Sequence, residues 1–316
     1  MEEKIDVSII YCNYFTSTLL KDSLESLVAK STNFKYEIIV VDNSNNEVET
    51  KKLLKLKIKY PNLILIDAKT NLGFGKANNL GSKYASGKYL YFLNTDTLLV
   101  NNAIYELFAF MEKNQNVGIC GSNLFNSNLK PYHSFIKIKK NLYFERRNGS
   151  LIRGLFFKLL RRDDFNYSSK PLKIKGYVCG ASLMILKEDF VKLNGFDQDI
   201  FMYSEEALLC YQLIKKLRKE IYNIPSSKII HLEGSSFKSD YSFYAKSFVD
   251  GNYLYYLKAY NEKTANKYLK VYLKIVKKKA LIFKILKKEA NYQKNLALKK
   301  YLELKIIQKV KNININ

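Results

Sequence analysis

Short apolar segments alternate with amphipathic ones over the first 94 residues, and this alternation constrains the fold more than any other feature. Each apolar segment is almost continuously apolar, which is typical of strands buried on both faces of a parallel sheet. The pattern predicts an α/β fold in which helices flank a mostly parallel, Rossmann-like sheet. The predicted strands cover 5–11, 36–42, 63–68 and 88–94, and the predicted helices cover 17–30, 46–59 and 73–85.

Four polar residues follow the ends of these predicted strands: Asn13, Asp42, Asn71 and Asp96. Ligands of open α/β sheets bind beyond the carboxyl ends of the strands. We therefore expect the four side chains to share one rim of the sheet. The centre of the predicted site is YFLNTDTLLV, residues 91–100, in which a buried strand stops at a lone carboxylate.

Asp96 has two interpretations. It could cap a helix or a turn, or it could bind Mg²⁺ or Mn²⁺ in a diphosphate site, because hard cations prefer carboxylate oxygens and complete their shell with phosphates and water. A metal would need a second protein ligand, and His231, at the end of a predicted strand, is the candidate. A structural histidine is the alternative for His231, and we expect no role for His133.

Glu205 and Glu206 form an acidic pair at the start of a helix predicted from about residue 204. Such a pair could serve only to stabilise the helix dipole. However, the preceding segment FDQDIFMYS would press the pair against the edge of the core. A partly buried carboxylate with a raised pKa is a suitable general base. Adjacent helical residues diverge by about 100°, so only one of the two can face a site.

The glycine pattern argues against several nucleotide-binding classes. The segment NLGFGKANNLG, residues 71–81, contains neither GxGxxG nor GK[ST], and the first strand-to-helix turn, YCNYFTSTL, has no glycine. We therefore do not expect an NAD enzyme, a P-loop NTPase or a nucleotidyltransferase. The helix N-terminal amides and Lys76 could still bind a diphosphate.

The cysteines and the N-terminus indicate a cytoplasmic location. The four cysteines are scattered with no CxxC pair, so we expect no disulfide framework and no zinc site. The N-terminus reads as acids followed by a strand, which does not predict a signal peptide. No apolar run reaches transmembrane length.

The positive charge is concentrated at the C-terminus. The formal net charge is +24, and residues 258–311 contribute 17 lysines against three acidic residues, a net of +14. Apolar residues recur there every three or four positions, which predicts an amphipathic helix with a lysine face. They are Leu269, Tyr272, Leu273, Val276, Ala280, Phe283 and Leu286.

Two interpretations of this basic helix stay open: packing on the core with a solvated lysine face, or in-plane attachment to an anionic membrane. The segment RGLFFKLLRR, residues 153–162, would add a second membrane contact. A nucleic-acid-binding protein is the rival class, but the lysines are not interleaved with a known reading motif. The tail could equally serve dimerisation.

Six segments together resemble the family 2 inverting glycosyltransferases in order and spacing. The similarity is strongest to the rhamnosyltransferase-like branch that builds bacterial surface polysaccharides such as O-antigen or capsule, and it covers roughly residues 5–240. The segments are VSIIYCNYF, IIVVDNSNN, NLGFGKANNLG, YFLNTDTLL, GASLMILKEDFVKLNGFDQDIFMYSEEALLCYQL and IIHLEGSS.

The resemblance implies a GT-A fold, Mn²⁺ or Mg²⁺ as cofactor, and a nucleotide-diphospho-sugar donor, dTDP-rhamnose or a UDP-hexose. Asp42 matches the residue that binds the base, and Asn13 lies in the loop lining the same pocket. Asp96 matches the metal ligand of the DXD position, and His231 matches a distant histidine ligand. The residues matching the segment along the ribose and diphosphate are Asn71, Gly73, Lys76 and Asn78.

On the acceptor side, the resemblance implies that Glu205 and Glu206 match a Glu-Asp pair whose second member is the catalytic base. The strand segment Gly180-Ala181-Ser182 matches the acceptor side. Two positions depart from the family pattern: Glu206 stands where Asp is usual, and Leu208 stands where a further acid is often found.

The predicted organisation is a transferase domain over residues 1–240 and a basic helical extension over 241–316. The predicted acceptor is a glycan or lipid-linked glycan, reached from the cytoplasmic side by an enzyme peripheral to the inner face of the plasma membrane. The alternative is a basic membrane- or nucleic-acid-binding protein that keeps the fold without transferase activity.

Overall fold

A computed structural model of the protein describes residues 4–149, 164–232 and 240–313. Within these ranges, nine strands form one mixed sheet in the order β3-β2-β1-β4-β10-β6-β11-β5, with β8 paired to β11. These strands are β1 Val7–Asn13, β2 Tyr36–Asp42, β3 Leu63–Asp67, β4 Tyr89–Leu93, β5 Thr97–Leu99, β6 Val117–Phe125, β8 Leu172–Ile174, β10 Ser182–Leu186 and β11 Glu220–His231. A separate two-stranded sheet pairs β7, Phe135–Ile136, with β9, Tyr177–Val178.

The four predicted strands of the N-terminal half are all present and run parallel to one another as β1 to β4. β6 and β11 also pair in parallel, whereas β10 enters antiparallel between β4 and β6. The short strand β5 runs antiparallel to β11 at the edge. The prediction of a mostly parallel sheet flanked by helices is thus confirmed.

Seven α-helices accompany the sheet in the described part of residues 4–232, and a short π-helix, Leu213–Leu217, follows the last of them. The helix predicted over 73–85 is shorter than expected, because the amides of Lys83, Tyr84 and Ala85 each bond three residues back and tighten the last turn. The helices are α1 Ser17–Lys30, α2 Glu47–Lys59, α3 Phe74–Ser82, α4 Ala103–Lys113, α5 Leu142–Asn148, α6 Lys187–Lys192 and α7 Glu205–Gln212.

The C-terminal extension consists of three long helices: α8 Tyr241–Ala259, α9 Glu262–Ile285 and α10 Glu289–Ile313. These helices share one buried apolar cluster with Ile200, Ala207 and Leu208 of the preceding region. The division at residue 240 stays a prediction, but the extension packs directly beside α7.

Four of the seven residues of the predicted apolar stripe belong to this cluster or pack against it: Leu269, Tyr272, Leu273 and Val276. Leu269, Val276 and Ala280 are buried, whereas Leu286 beyond the end of α9 is 55% exposed. Packing on the core with a solvated lysine face therefore describes most of α9. None of the helices in the described ranges is both long and apolar enough to cross a membrane. The other predicted membrane contact, residues 153–162, lies outside the described residues.

Candidate active site

A cavity of about 620 Å³ opens at the carboxyl ends of the central strands. Eight of the predicted site residues line it: Asn71, Gly73, Asp96, Gly180, Ala181, Glu205, Glu206 and His231. Five others lie outside its lining: Asn13, Asp42, Lys76, Asn78 and Ser182. The volume is within the range of small-ligand sites, and carboxylates, amides, an imidazole and aromatic rings converge on it.

Strand pairing brings Asp96 and His231 together. β5 begins directly after Asp96, and in its antiparallel register with β11 Thr97 lies opposite His231. The amide of Leu232 donates to the Asp96 carbonyl at 2.9 Å, which fixes the two segments side by side. His231 Nε2 lies 3.3 Å from Asp96 Oδ1 and 3.5 Å from Asn94 Nδ2.

These two donors fit a divalent cation. Neighbouring ligands at about 2.1 Å from one ion lie about 3 Å apart, which is close to the observed separation. His231 Nδ1 is buried and has no hydrogen-bond partner among the described residues, so no bond at Nδ1 determines which ring nitrogen carries the proton. The described residues contain no cluster of three or more His, Cys, Asp and Glu side chains suited to a metal. Phosphate and water would have to complete the coordination, as is usual for Mg²⁺.

The start of α3 forms another part of the cavity wall, and it is rigidly built. Asn71 Oδ1 accepts from Asn43 Nδ2 and from the Gly73 amide, both at 3.0 Å. Gly73 has φ +77°, and a Cβ there would lie 2.3 Å from the Phe201 carbonyl oxygen. Only glycine fits this position. The Phe74 amide donates to the same Phe201 carbonyl, which joins α3 to the loop before α7.

Asp42 and Asn13 lie just beneath the cavity. Asp42 is 1% exposed, and its carboxylate accepts from the Ser44 amide at 3.1 Å and the Thr50 hydroxyl at 2.6 Å. Asn13 is fully buried and donates to Glu49 Oε1 at 3.2 Å. The cavity is reached instead by their neighbours Asn43 and Cys12. The nucleotide-binding roles of Asp42 and Asn13 stay predictions.

The remaining three residues outside the lining have different surroundings. Lys76 is exposed on α3. Asn78 is buried and donates to the Phe74 carbonyl at 3.0 Å. Ser182 is buried in a hydroxyl chain with Tyr91 Oη at 2.8 Å and Ser122 Oγ at 2.7 Å. Ser182 therefore contributes to the packing beneath the predicted acceptor side, whereas Gly180 and Ala181 reach the cavity.

The acidic pair begins α7 after two residues with left-handed backbone, Tyr203 at φ +71° and Ser204 at φ +78°. The two side chains diverge, but both line the cavity, so the expectation that only one of them could face the site is wrong. A Cβ built on Gly75 of α3 would lie 3.8 Å from Glu205 Cβ, whereas a Cβ built on Gly180 would lie 3.7 Å from Glu206 Cβ. Glu205 thus leaves the helix toward α3, and Glu206 leaves it toward the predicted acceptor side.

The environments of the two carboxyl groups differ. Burial raises the pKa of Glu205 well above its ordinary value, and the neighbouring Glu206 raises it further. Burial also raises the pKa of Glu206, but the Lys140 ammonium opposes that rise. Glu205 is 5% exposed, and its Oε2 has no hydrogen-bond partner among the described residues. Burial and the neighbouring carboxylate therefore favour the protonated form more strongly at Glu205 than at Glu206, because Lys140 has the larger opposing effect at Glu206.

The family model for glycosyl transferase family 2 matches residues 7–168, which carry β1 to β6 and the Asp96 side of the cavity. The chain belongs to glycosyl transferase family 2. A relative, rhamnosyltransferase WbbL of Escherichia coli K12, is 26% identical over 251 residues, covering 77% of this chain and 88% of the relative. The low-salt glycan biosynthesis hexosyltransferase Agl10 of Haloferax volcanii is 23% identical over 249 residues, which cover 76% of this chain and 72% of the relative.

Among solved structures, the crystal structure of GalNAc-T7 with UDP, GalNAc and Mn²⁺ superposes with a TM-score of 0.59 at 15% identity. The superposition covers 75% of this chain and 45% of that one. It shows that the two chains share the fold, and the predicted GT-A architecture is confirmed.

In this family 2 protein, Leu208 has a clear structural environment. It is 1% exposed and belongs to the apolar cluster shared with the C-terminal helices. A carboxylate at this position would be buried without water, at a cost of several kcal/mol unless paired. The departure from the family pattern thus follows from the packing of the extension against α7.

Sequence reasoning missed three residues near the acidic pair: Lys140, Tyr244 and Lys294. Tyr244 and Lys294, from α8 and α10, line the cavity, and Lys294 Nζ lies 4.0 Å from the centre of the Tyr244 ring. Lys140 donates a hydrogen bond from Nζ to the hydroxyl of Ser204, the residue directly before the acidic pair. No local pattern distinguishes these lysines from the other lysines around them, and only the packing of the extension brings them to the site.

Proposed function

We propose that this protein is an inverting glycosyltransferase that moves a sugar from a nucleotide-diphospho-sugar to a hydroxyl of a growing, lipid-linked surface glycan. The observation that carries the proposal is that one cavity is lined by both Asp96–His231 and Glu206. The first group suits a diphosphate with its cation, and the second suits a hydroxyl nucleophile. The names of two relatives, a rhamnosyltransferase and a hexosyltransferase, support dTDP-rhamnose as the first donor to test and UDP-hexoses as the next.

Glu206 is the general base of this reaction. Its carboxylate accepts the proton of the acceptor hydroxyl while that oxygen forms a bond to the anomeric carbon. The bond between the anomeric carbon and the diphosphate oxygen breaks on the opposite face, its electron pair leaves with the nucleoside diphosphate, and the configuration inverts. Because Glu205 keeps its proton, the negative charge of the pair lies on Glu206, which faces the predicted acceptor side.

The leaving diphosphate would be held at the Asp96 end of the cavity. Asp96 and His231 would hold Mn²⁺ or Mg²⁺, which supplies positive charge to a departing phosphate when bound. The Gly73 and Phe74 amides already donate to Asn71 Oδ1 and to the Phe201 carbonyl, so α3 would act on the same side through the positive end of its helix dipole. Lys76, exposed on α3, would add charge to the same phosphates.

Calorimetric titration of UDP-, dTDP- and GDP-sugars, each with Mn²⁺, Mg²⁺ or EDTA, tests the donor site. We expect metal-dependent binding of one nucleotide class, lost in Asp96→Asn. Asp67→Asn is the matched control, because Asp67 also ends a parallel strand but is exposed and paired with Lys69. Binding that survives Asp96→Asn, or absence of binding of every nucleotide with every metal, would overturn the proposal.

We further propose that the enzyme works at an anionic membrane through the lysine face of α9. Because most of the apolar stripe packs in the core, the contact would be electrostatic, with little insertion. With α5, this face borders a groove of about 640 Å³. The basic residues that line it are Arg146, Lys267, Lys270, Lys274, Lys278 and Lys279.

Liposome flotation tests this attachment. We expect binding to vesicles with anionic lipid, none to neutral vesicles, and loss in 0.5 M salt because surface charge is screened, with a Debye length of about 3 Å at 1 M. The charge reversal Lys267→Glu, Lys270→Glu, Lys274→Glu should abolish binding. The same reversal at Lys51, Lys55 and Lys57, exposed on α2, is the matched control. Equal losses in both variants, or a DNA mobility shift without flotation, would contradict the membrane proposal.

A further inference from the structure

Lys140 is a lysine enclosed by the protein immediately before α5. It is 6% exposed, and its Nζ donates to Ser204 Oγ at 2.7 Å. The ammonium lies 4.8 Å from the ring centre of Tyr255 and 5.7 Å from that of Tyr177. Among the described residues, no carboxylate is within ion-pair distance of Nζ. Lysine is rarely buried in this way, because an enclosed ammonium is costly without compensation.

The C-terminal helix α8 fixes the backbone of Lys140. The hydroxyls of Tyr255 and Tyr260 both donate to the Lys140 carbonyl, at 2.9 and 2.8 Å. Tyr255 is fully buried, so its ring and its hydroxyl contact the same lysine from one side. The extension thus determines where this ammonium lies.

On its other side, Lys140 holds the turn that delivers the acidic pair. Ser204 has left-handed backbone, which a non-glycine residue rarely adopts. Its carbonyl accepts from the Leu208 amide at 2.9 Å and so begins α7. The bond from Lys140 stabilises this turn, and with it the direction in which Glu205 and Glu206 leave the helix.

We propose that Lys140 is a positioning residue: its bond locks the Ser204 turn, and its enclosed ammonium is the positive charge held beside the start of α7, where the acidic pair begins. This inference rests on the proposed transferase function. It makes α8 a part of the catalytic unit, since Tyr255 and Tyr260 hold the lysine in place. Membrane attachment is then not the only role of the extension.

The electrostatic surroundings agree with this geometry. Burial lowers the pKa of Lys140, and three acidic groups oppose this: Glu145, Glu206 and Glu205. Lys140 is the strongest influence opposing the burial that raises the pKa of Glu206. The other titratable groups facing Glu206 are Glu205, His133, Tyr177, Cys179 and Cys210.

The test is the pH dependence of kcat in Lys140→Met, with Lys139→Met as the matched control. Lys139 also lies over two tyrosine rings, Tyr211 at 5.1 Å and Tyr260 at 4.9 Å, but it has no bond to Ser204 among the described residues. Without the nearby ammonium, Glu206 should hold its proton to higher pH. We expect Lys140→Met to lose about tenfold more activity at pH 6 than at pH 9, an estimate from the usual effect of one nearby opposite charge. Lys139→Met should keep the profile of the wild type.

Two further variants make the test decisive. Ser204→Ala removes the acceptor of the Lys140 hydrogen bond but keeps the positive charge. We therefore expect the acid limb of the kcat–pH profile, where kcat falls at low pH, to move to higher pH as in Lys140→Met, but by less. His133→Gln shows whether the acid limb reports histidine instead of Glu206. If Lys140→Met does not fold, Ser204→Ala carries the test.

The outcomes separate the two proposals. A wild type that transfers no sugar from any donor would refute the proposed function. An active wild type whose acid limb is unchanged in both Lys140→Met and Ser204→Ala, with donor binding intact by calorimetry, would refute the role of Lys140. An acid limb that disappears in His133→Gln would also refute the role of Lys140.

Discussion

Glu205→Gln should change how the stability of the protein depends on pH. Glu205 is buried and its Oε2 has no hydrogen-bond partner among the described residues, so the protonated acid is its stable form in the fold. The pKa of this group is raised above the ordinary 4.5, so the unfolded chain releases the proton at lower pH than the folded protein does. Stability therefore falls as pH rises from about the ordinary glutamate value to the raised folded value, and is unaffected below that window.

The magnitude follows from proton linkage. Within that window, one proton held only by the folded state costs about 1.4 kcal/mol of stability per pH unit. Glutamine mimics the protonated acid and has no such dependence. Relative to wild type, Glu205→Gln should thus gain about 1.4 kcal/mol per pH unit between the ordinary glutamate pKa and the raised pKa of the folded protein.

Urea denaturation at half-unit steps from pH 5 to pH 7 measures this difference. Glu206→Gln is the matched comparison, and its gain should be smaller because Lys140 opposes the rise in the pKa of Glu206. If the curves of the wild type and Glu205→Gln stay parallel over this range, Glu205 is ionised in the fold. The assignment of the proton to Glu205 would then be wrong.

Two further substitutions test the packing around the site. Gly251→Ala would place a Cβ 2.1 Å from the Tyr203 carbonyl oxygen, so α8 or the loop before α7 must shift. We expect the free energy of unfolding to fall by about 1–3 kcal/mol together with a lower kcat, and wild-type values for both would contradict this packing. Ser182→Ala removes the partner of the buried Tyr91 hydroxyl and should cost about 1–3 kcal/mol, while the KM for the acceptor stays unchanged. A raised acceptor KM at wild-type stability would instead support the acceptor role that the resemblance implies for Ser182.

Much of the donor side could be predicted from the sequence because it depends on local patterns. The apolar runs set β1 to β4, and the polar residues after them had to gather at one rim of a parallel sheet. His231 could be named as the candidate second ligand, but local patterns do not predict its approach to Asp96, since the pairing of β5 with β11 joins distant segments.

Prediction from the sequence was weaker where side chains face inward or where the extension packs. At the end of β2, Asp42 faces inward to Ser44 and Thr50, while its neighbour Asn43 reaches the cavity; the alternation of a strand does not fix which residue of a following turn is exposed. The lysine pattern of the extension predicts an exposed, charged face. It does not predict that α8 packs on the loop that contains Ser204. Lys140 could not be identified because its partners lie far along the chain.

The central claim is that Glu206 is the base of a sugar transfer, and the most direct test is one pair of measurements on Glu206→Gln. Transfer from the donor identified by calorimetry should fall by about 10²–10⁴-fold, the usual contribution of a general base. Binding of that donor, measured with the same metal, should stay within about twofold, since Glu206 leaves α7 toward Gly180 and not toward α3. Transfer at the wild-type rate, or loss of donor binding together with transfer, would contradict the claim.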